Sequence, residues 1–192
     1  MASFEYEISY IQSAVEELKD YLLTNELFWP IMSTPPAGGQ PFPRLTLGGM
    51  LLSLRKASAL AGTTEERKEF ETAQNNVESL HNQWRSAWEN KTQRELRSRL
   101  NQWRNYLADY RQSPERNAAY YNSEVRLRVM IQLLESGAGE LPEMLTELRS
   151  VLDLTLRGIF QPGDFIWETP LIKGFSQATF WYLYGNLKGM AT

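Results

Sequence analysis

From Thr63 to Gln112 the chain runs for about fifty residues without glycine or proline, and apolar residues recur through that run at steps of three and four. No other feature constrains the fold as much. Such a stretch is one long helix, or two helices end to end, and the remaining chain must pack around it. Thr63 and Glu66 form a capping-box pattern at its start. Phe70, Ala73, Val77, Leu80, Trp84 and Trp88 mark one face, and Leu96, Leu100, Trp103, Leu107 and Tyr110 continue it. The two registers do not join as a strict heptad, because the face must step by fours from Trp84 through Trp88 and Thr92 to Leu96. The pattern therefore predicts a bend or break over Glu89–Thr92, with Thr92 capping a new helix and Glu95 at its third position. Unbroken, the run would measure roughly 75 Å at about 1.5 Å per residue. Asn82-Gln83-Trp84-Arg85 recurs as Asn101-Gln102-Trp103-Arg104. The flanks do not extend the match, and both tryptophans read as core residues.

The other helices are punctuated more plainly. Ser3 is a cap for a first helix running to about Leu27, with Phe4, Ile8, Ile11, Val15, Leu18 and Leu22 as its stripe and an acidic outer face. Trp29-Pro30 ends it. Pro35-Pro36, Gly38-Gly39, Pro41 and Pro43 make Ser33–Arg44 a loop, long enough to serve as a lid or a partner-binding arm if it is more than a connection. Thr46–Ala61 reads as a short apolar helix whose Gly48-Gly49 permits close approach of another helix or a ligand. Ser113-Pro114 opens a helix to about Ser136, with a core-forming second half and a Glu124–Arg128 pair one turn apart. Pro142 opens another, with Leu141, Met144, Leu145, Leu148, Val151, Leu152, Leu156 and Ile159 as its apolar set. Gln161-Pro162-Gly163-Asp164 is a turn. A sixth helical segment is expected over Pro170–Leu187, and its aromatics either close the protein's own core or dock a partner.

Composition narrows the chemistry. The chain of 192 residues has no cysteine and one histidine, so disulfides, thiolate metal sites and cysteine nucleophiles are excluded. No apolar run reaches the length of a membrane span, and the acidic N-terminus lacks a signal-peptide core; a cytoplasmic protein is expected. Glu78 and His81 form a Glu-x-x-His pair, as found in ferritin-like metal bundles, but they flank the core line and no other helix offers an inward glutamate. No phosphate-binding glycine loop or nucleophile elbow is present. Net charge is −3, yet residues 85–128 carry ten Lys/Arg against five Asp/Glu. Arg97, Arg104 and Arg111 form a stripe beside the core line. Its position suits packing and ion pairing better than nucleic-acid binding.

The expected fold is an all-α bundle of five to seven helices in a single domain, residues 1–192, with a long, bent or broken central helix. No catalytic, cofactor-binding or metal residues are assigned, and no cofactor. The expected function is a non-catalytic interaction protein that binds a protein partner or itself as a homo-oligomer. The alternatives are a bundle binding an apolar small molecule and a ferritin-like metal-binding bundle.

Overall fold

In the computed structural model, which describes residues 3–189, the side chain of Ser3 accepts the N–H of Tyr6 and starts α1 (Phe4–Leu23). Phe4, Ile8, Ile11, Ala14, Leu18 and Leu22 are buried along one side of it. The helix ends four residues earlier than the sequence predicts. Thr24 turns to extended geometry and its hydroxyl folds back to donate to the Tyr21 carbonyl at 3.0 Å. The Ser33–Arg44 loop is closed at its base by paired backbone bonds between Trp29 and Leu45 (3.0 and 2.8 Å). Phe42 carries it onto α1, with its ring 5.3 Å from that of Tyr6 and 5.6 Å from that of Tyr10. Thr46 caps α2 (Leu47–Leu60), which packs on α1, as does α3 (Thr64–Gln83). The capping box at Thr63 is present: Glu66 N–H donates to the Thr63 hydroxyl, and the Glu66 carboxylate accepts the N–H groups of Thr63 and Gly62.

The long central run is interrupted, but not where the apolar pattern predicts. The break is at Trp84 (φ −117°, ψ 36°), and α4 (Arg85–Gln112) then continues without interruption through Glu89–Thr92. Hydrogen bonding carries across the break: Trp84 N–H donates to Leu80 and Trp88 N–H to Trp84. The gap that looked like a helix boundary is instead a buried polar stretch. Lys91, Thr92 and Glu95 lie on the inner face of α4 beside Trp88 and Leu96, so a polar core residue imitated a break in the apolar stripe. Trp103 is fully buried, whereas Trp84 is half-buried at the junction.

The chain forms two compact units that divide between Glu95 and Leu96, inside α4. In the second, the region from Pro114 to Ser136 is helical with local tightening: α5 (Pro114–Asn117), a 3₁₀ turn (Ala118–Tyr120), α6 (Tyr121–Glu124) and α7 (Arg126–Ser136). With the two four-residue pieces counted separately, the described residues hold eight α-helices, and the chain is the mostly all-α bundle that the sequence predicts. Helix α8 (Glu143–Ile159) starts after Pro142, as its sequence predicts.

The predicted sixth helix does not form. Beyond α8 the chain makes β1 (Phe160–Phe165), 3₁₀ turns at Thr169–Gly174 and Trp181–Leu183, and β2 (Tyr184–Leu187). The strands pair antiparallel, Phe160 opposite Leu187 and Pro162 opposite Gly185. The register then jumps to Phe165 opposite Tyr184, so Gly163-Asp164, predicted as a turn, is a bulge inside a strand. Gly185 has φ +144°; a Cβ there would collide with the Gln161 carbonyl oxygen and stand 2.7 Å from the Phe160 ring. Only glycine fits the observed backbone here. The aromatics of the tail instead stack edge to face through Trp167, Phe175, Phe180 and Tyr182. They close the unit's own core, with Phe175, Phe180, Tyr182 and Leu183 buried. Tyrosine hydroxyls pin the tail: Tyr121 donates to the Tyr182 carbonyl at 2.6 Å and Tyr110 to that of Lys188.

Candidate functional site

The most deeply buried cation of each unit is Lys91 in the first and Arg128 in the second, and each offsets the cost of burial differently. Helix α1 has no basic residue in its last turn and α2 no acidic residue in its first. Helix α4 supplies both charges. Lys91, 2% exposed, donates to the carbonyls of Thr24 (2.8 Å) and Glu26 (2.7 Å) just past the C-terminus of α1, with its ammonium 4.3 Å from the Tyr21 ring. Arg94 donates to the Asn25 carbonyl in the same turn. One turn beyond Lys91, the buried Glu95 carboxylate accepts the Gly48 N–H at 3.1 Å. A cation at a helix C-terminus and an anion at an N-terminus both match the helix dipole. The Gly48 N–H is thus answered by a side chain of α4, while the atoms nearest to a Cβ at Gly49 would be the Thr46 and Tyr10 hydroxyls, and Thr92 and Glu95, expected as cap residues, are interior to α4. Burial, with the nearby Arg94 charge, pulls the Lys91 ammonium down to about 8.

In the second unit Arg128, 3% exposed, meets Asp153 of α8 through two parallel bonds of 2.7 and 2.8 Å and lies over the Tyr182 ring. Arg149 joins the network by bonding Glu135 and approaching Asp153. Burial is the largest single influence and opposes the Arg128 charge, but the Asp153 hydrogen bond together with the charges of Asp153 and Glu135 and the Tyr182 side chain outweighs it, and the guanidinium is held above its ordinary value. The expected Glu124–Arg128 pair is replaced by this one, because the bidentate carboxylate comes from α8 rather than from one turn away.

Two surface features remain. An open cleft of about 360 Å³ lies around Tyr106, lined by Gln102, Asn105, Asp109, Asn117 and Glu124; it offers donors and acceptors suited to a polar ligand. The second feature is the outer side of α8. Leu145, Leu152 and Leu156 face the core, yet Met144, Val151 and Leu154 are 62%, 58% and 71% exposed. The apolar set read from the sequence is therefore split. Met144 and Val151 belong to an outer row with Leu154, which the sequence reading left out. The only signal for it was that α8 has more apolar positions than one face can hold.

Among the described residues no group of three or more His, Asp or Glu side chains could hold a metal ion. His81 lies against the Trp88 ring, 4.5 Å between centroids, and Glu78 accepts a bond from Gln74. Arg97, Arg104 and Arg111 are exposed along α4. No described helix is long and apolar enough to cross a membrane. Comparison with protein-family models, with curated proteins and with solved structures gives no match.

Proposed function

We propose that this chain is a non-catalytic interaction protein that associates with itself. The observation that carries the reading is that Met144, Val151 and Leu154 are all exposed on a helix whose opposite side is already buried. Large apolar side chains exposed singly are ordinary, but three of them on the outer side of one helix favour a surface that gains by being covered. The buried charges of both units are engaged by their own chains, so they organise structure rather than chemistry. The cleft at Tyr106 suits a polar ligand rather than the apolar one considered from sequence. Native mass spectrometry and sedimentation velocity of the full chain over a concentration series test the reading. A bare multimer whose population grows with concentration is expected; a bare monomer throughout would overturn it.

A further inference from the structure

The pattern along α8 says more than that three apolar residues face outward. Its outward residues fall in three rows at seven-residue spacing: Met144, Val151 and Gly158; Glu147 and Leu154; Glu143, Ser150 and Arg157. All eight are exposed. The first two rows are spaced as the a and d positions of a two-helix seam, and the third lies on its flank, where charges select partner and direction. That flank is acidic at the N-terminal end of α8, small at its middle and basic at its C-terminal end. The basic end is held in place, since the Arg157 guanidinium lies 4.1 Å from the Trp181 ring. Gly158 has open space where a Cβ would stand, and Ser150 is small, so neither blocks a close approach.

We infer that the occupant of this face is α8 of a second copy of the chain, packed antiparallel about a two-fold axis near Ser150. This rests on the self-association proposed above and specifies its interface. In this pairing Met144 meets the second copy's Leu154, Val151 meets its Glu147 stem, and Glu143 faces its Arg157. Symmetry repeats each contact. A parallel pair would set Glu143 against Glu143 and Arg157 against Arg157, which like charges oppose. The helix is about 25 Å long at about 1.5 Å per residue. The interface therefore falls at the low end of specific sizes, below about 1,200 Å², and the dimer is reversible and concentration-dependent.

The test uses the full chain. Leu154→Lys, an exposed position, leaves the fold intact by circular dichroism and removes the dimer from sedimentation profiles. Glu143→Arg and Arg157→Glu each weaken dimerisation about fivefold or more, since two such pairs occur per dimer; combined in one chain they restore it. The chain has no cysteine, so orientation reads out directly. A mixture of Met144→Cys and Leu154→Cys chains forms mixed disulfides on mild oxidation, whereas Met144→Cys alone forms few. A dimer insensitive to Leu154→Lys, charge swaps that fail to rescue each other, or efficient 144-to-144 crosslinking overturns the antiparallel α8 pairing while self-association stands. A monomer at every concentration overturns both.

Discussion

Lys91 and Arg128 are buried to the same degree, and their surroundings push their charges in opposite directions. Lys91 is met by two backbone carbonyls and a tyrosine ring, with no carboxylate among its direct hydrogen-bond partners. Arg128 is met by both oxygens of Asp153. Carbonyl dipoles at a helix end satisfy the ammonium's donors without cancelling its desolvation, so its proton is loosely held. A bidentate carboxylate does both for a guanidinium, which cannot deprotonate at accessible pH in any case. One unit thus carries a cation that can be switched off by alkali and the other a cation that cannot. The lesson is that a buried charge is defined by what answers it, not by how deeply it lies.

The hardest way to strain this comparison is to remove Asp153. Asp153→Ala leaves the Arg128 charge buried without its partner and is expected to cost about 3–5 kcal/mol, read as a lower urea midpoint. Replacing the pair together, Arg128→Met with Asp153→Leu, is expected to recover most of that loss. A double variant as weak as the single one would show that the Tyr182 ring beneath the guanidinium and the Gln132 side-chain oxygen, which accepts from it at 3.5 Å, depend on the guanidinium itself. Lys91→Met should cost less, about 1–3 kcal/mol, because it leaves the Thr24 and Glu26 carbonyls short of a donor but strands no charge.

The pH response sharpens the same contrast. The Lys91 side chain should lose its proton near pH 8, while ordinary lysines titrate at about 10.4; the carbon shift of its ε-methylene reports this. Between those values the unfolded chain still holds a proton that the folded chain has released. Folding is therefore favoured as pH rises through the window. The stability difference between the native chain and Lys91→Met should be level below pH 8 and widen above it. A flat difference would mean that the two carbonyls keep the charge in place. No such window belongs to Arg128.

The smallest contrast is between helix starts. Thr63→Ala removes a side chain that accepts the Glu66 N–H and should cost about 1 kcal/mol. Ser113→Ala removes no capping bond and should lie within about 0.5 kcal/mol of zero. The N–H groups of Thr63 and Gly62 hold the Glu66 carboxyl below its ordinary value. Its share of the α3 cap is thus present at neutral pH and fades as pH falls through that lowered value.

The helical part of this architecture was legible wherever a helix start carries its own chemistry. Ser3, Thr46, Thr63, Pro114 and Pro142 each place a helix within a residue or two of where it lies. Periodicity failed where a helix buries something other than carbon. Lys91, Thr92 and Glu95 broke the apolar stripe on paper, while Lys91 and Glu95 complete two helix ends in space. It failed again on α8, where apolar residues occupy two sides and only packing decides which is inner. The C-terminal sheet was hidden because Pro162, Gly163 and Gly185 look like punctuation. Only the long-range pairing of Phe160 with Leu187 shows that a bulged strand lies beneath. The candidate interface was hidden for the same reason: exposure belongs to the fold, and the sequence contains only the candidates for it.

Gly185 turns this into a statement about mutational tolerance. With the Gln161 carbonyl and the Phe160 ring closing on its Cα, that position admits one letter of the alphabet. A library selected only for folded chains should return glycine there and little else. Gly158 has room for a side chain and should come back diverse from the same selection. If α8 pairs with its copy, a second selection for association would purge the bulky letters at 158 while leaving 185 unchanged.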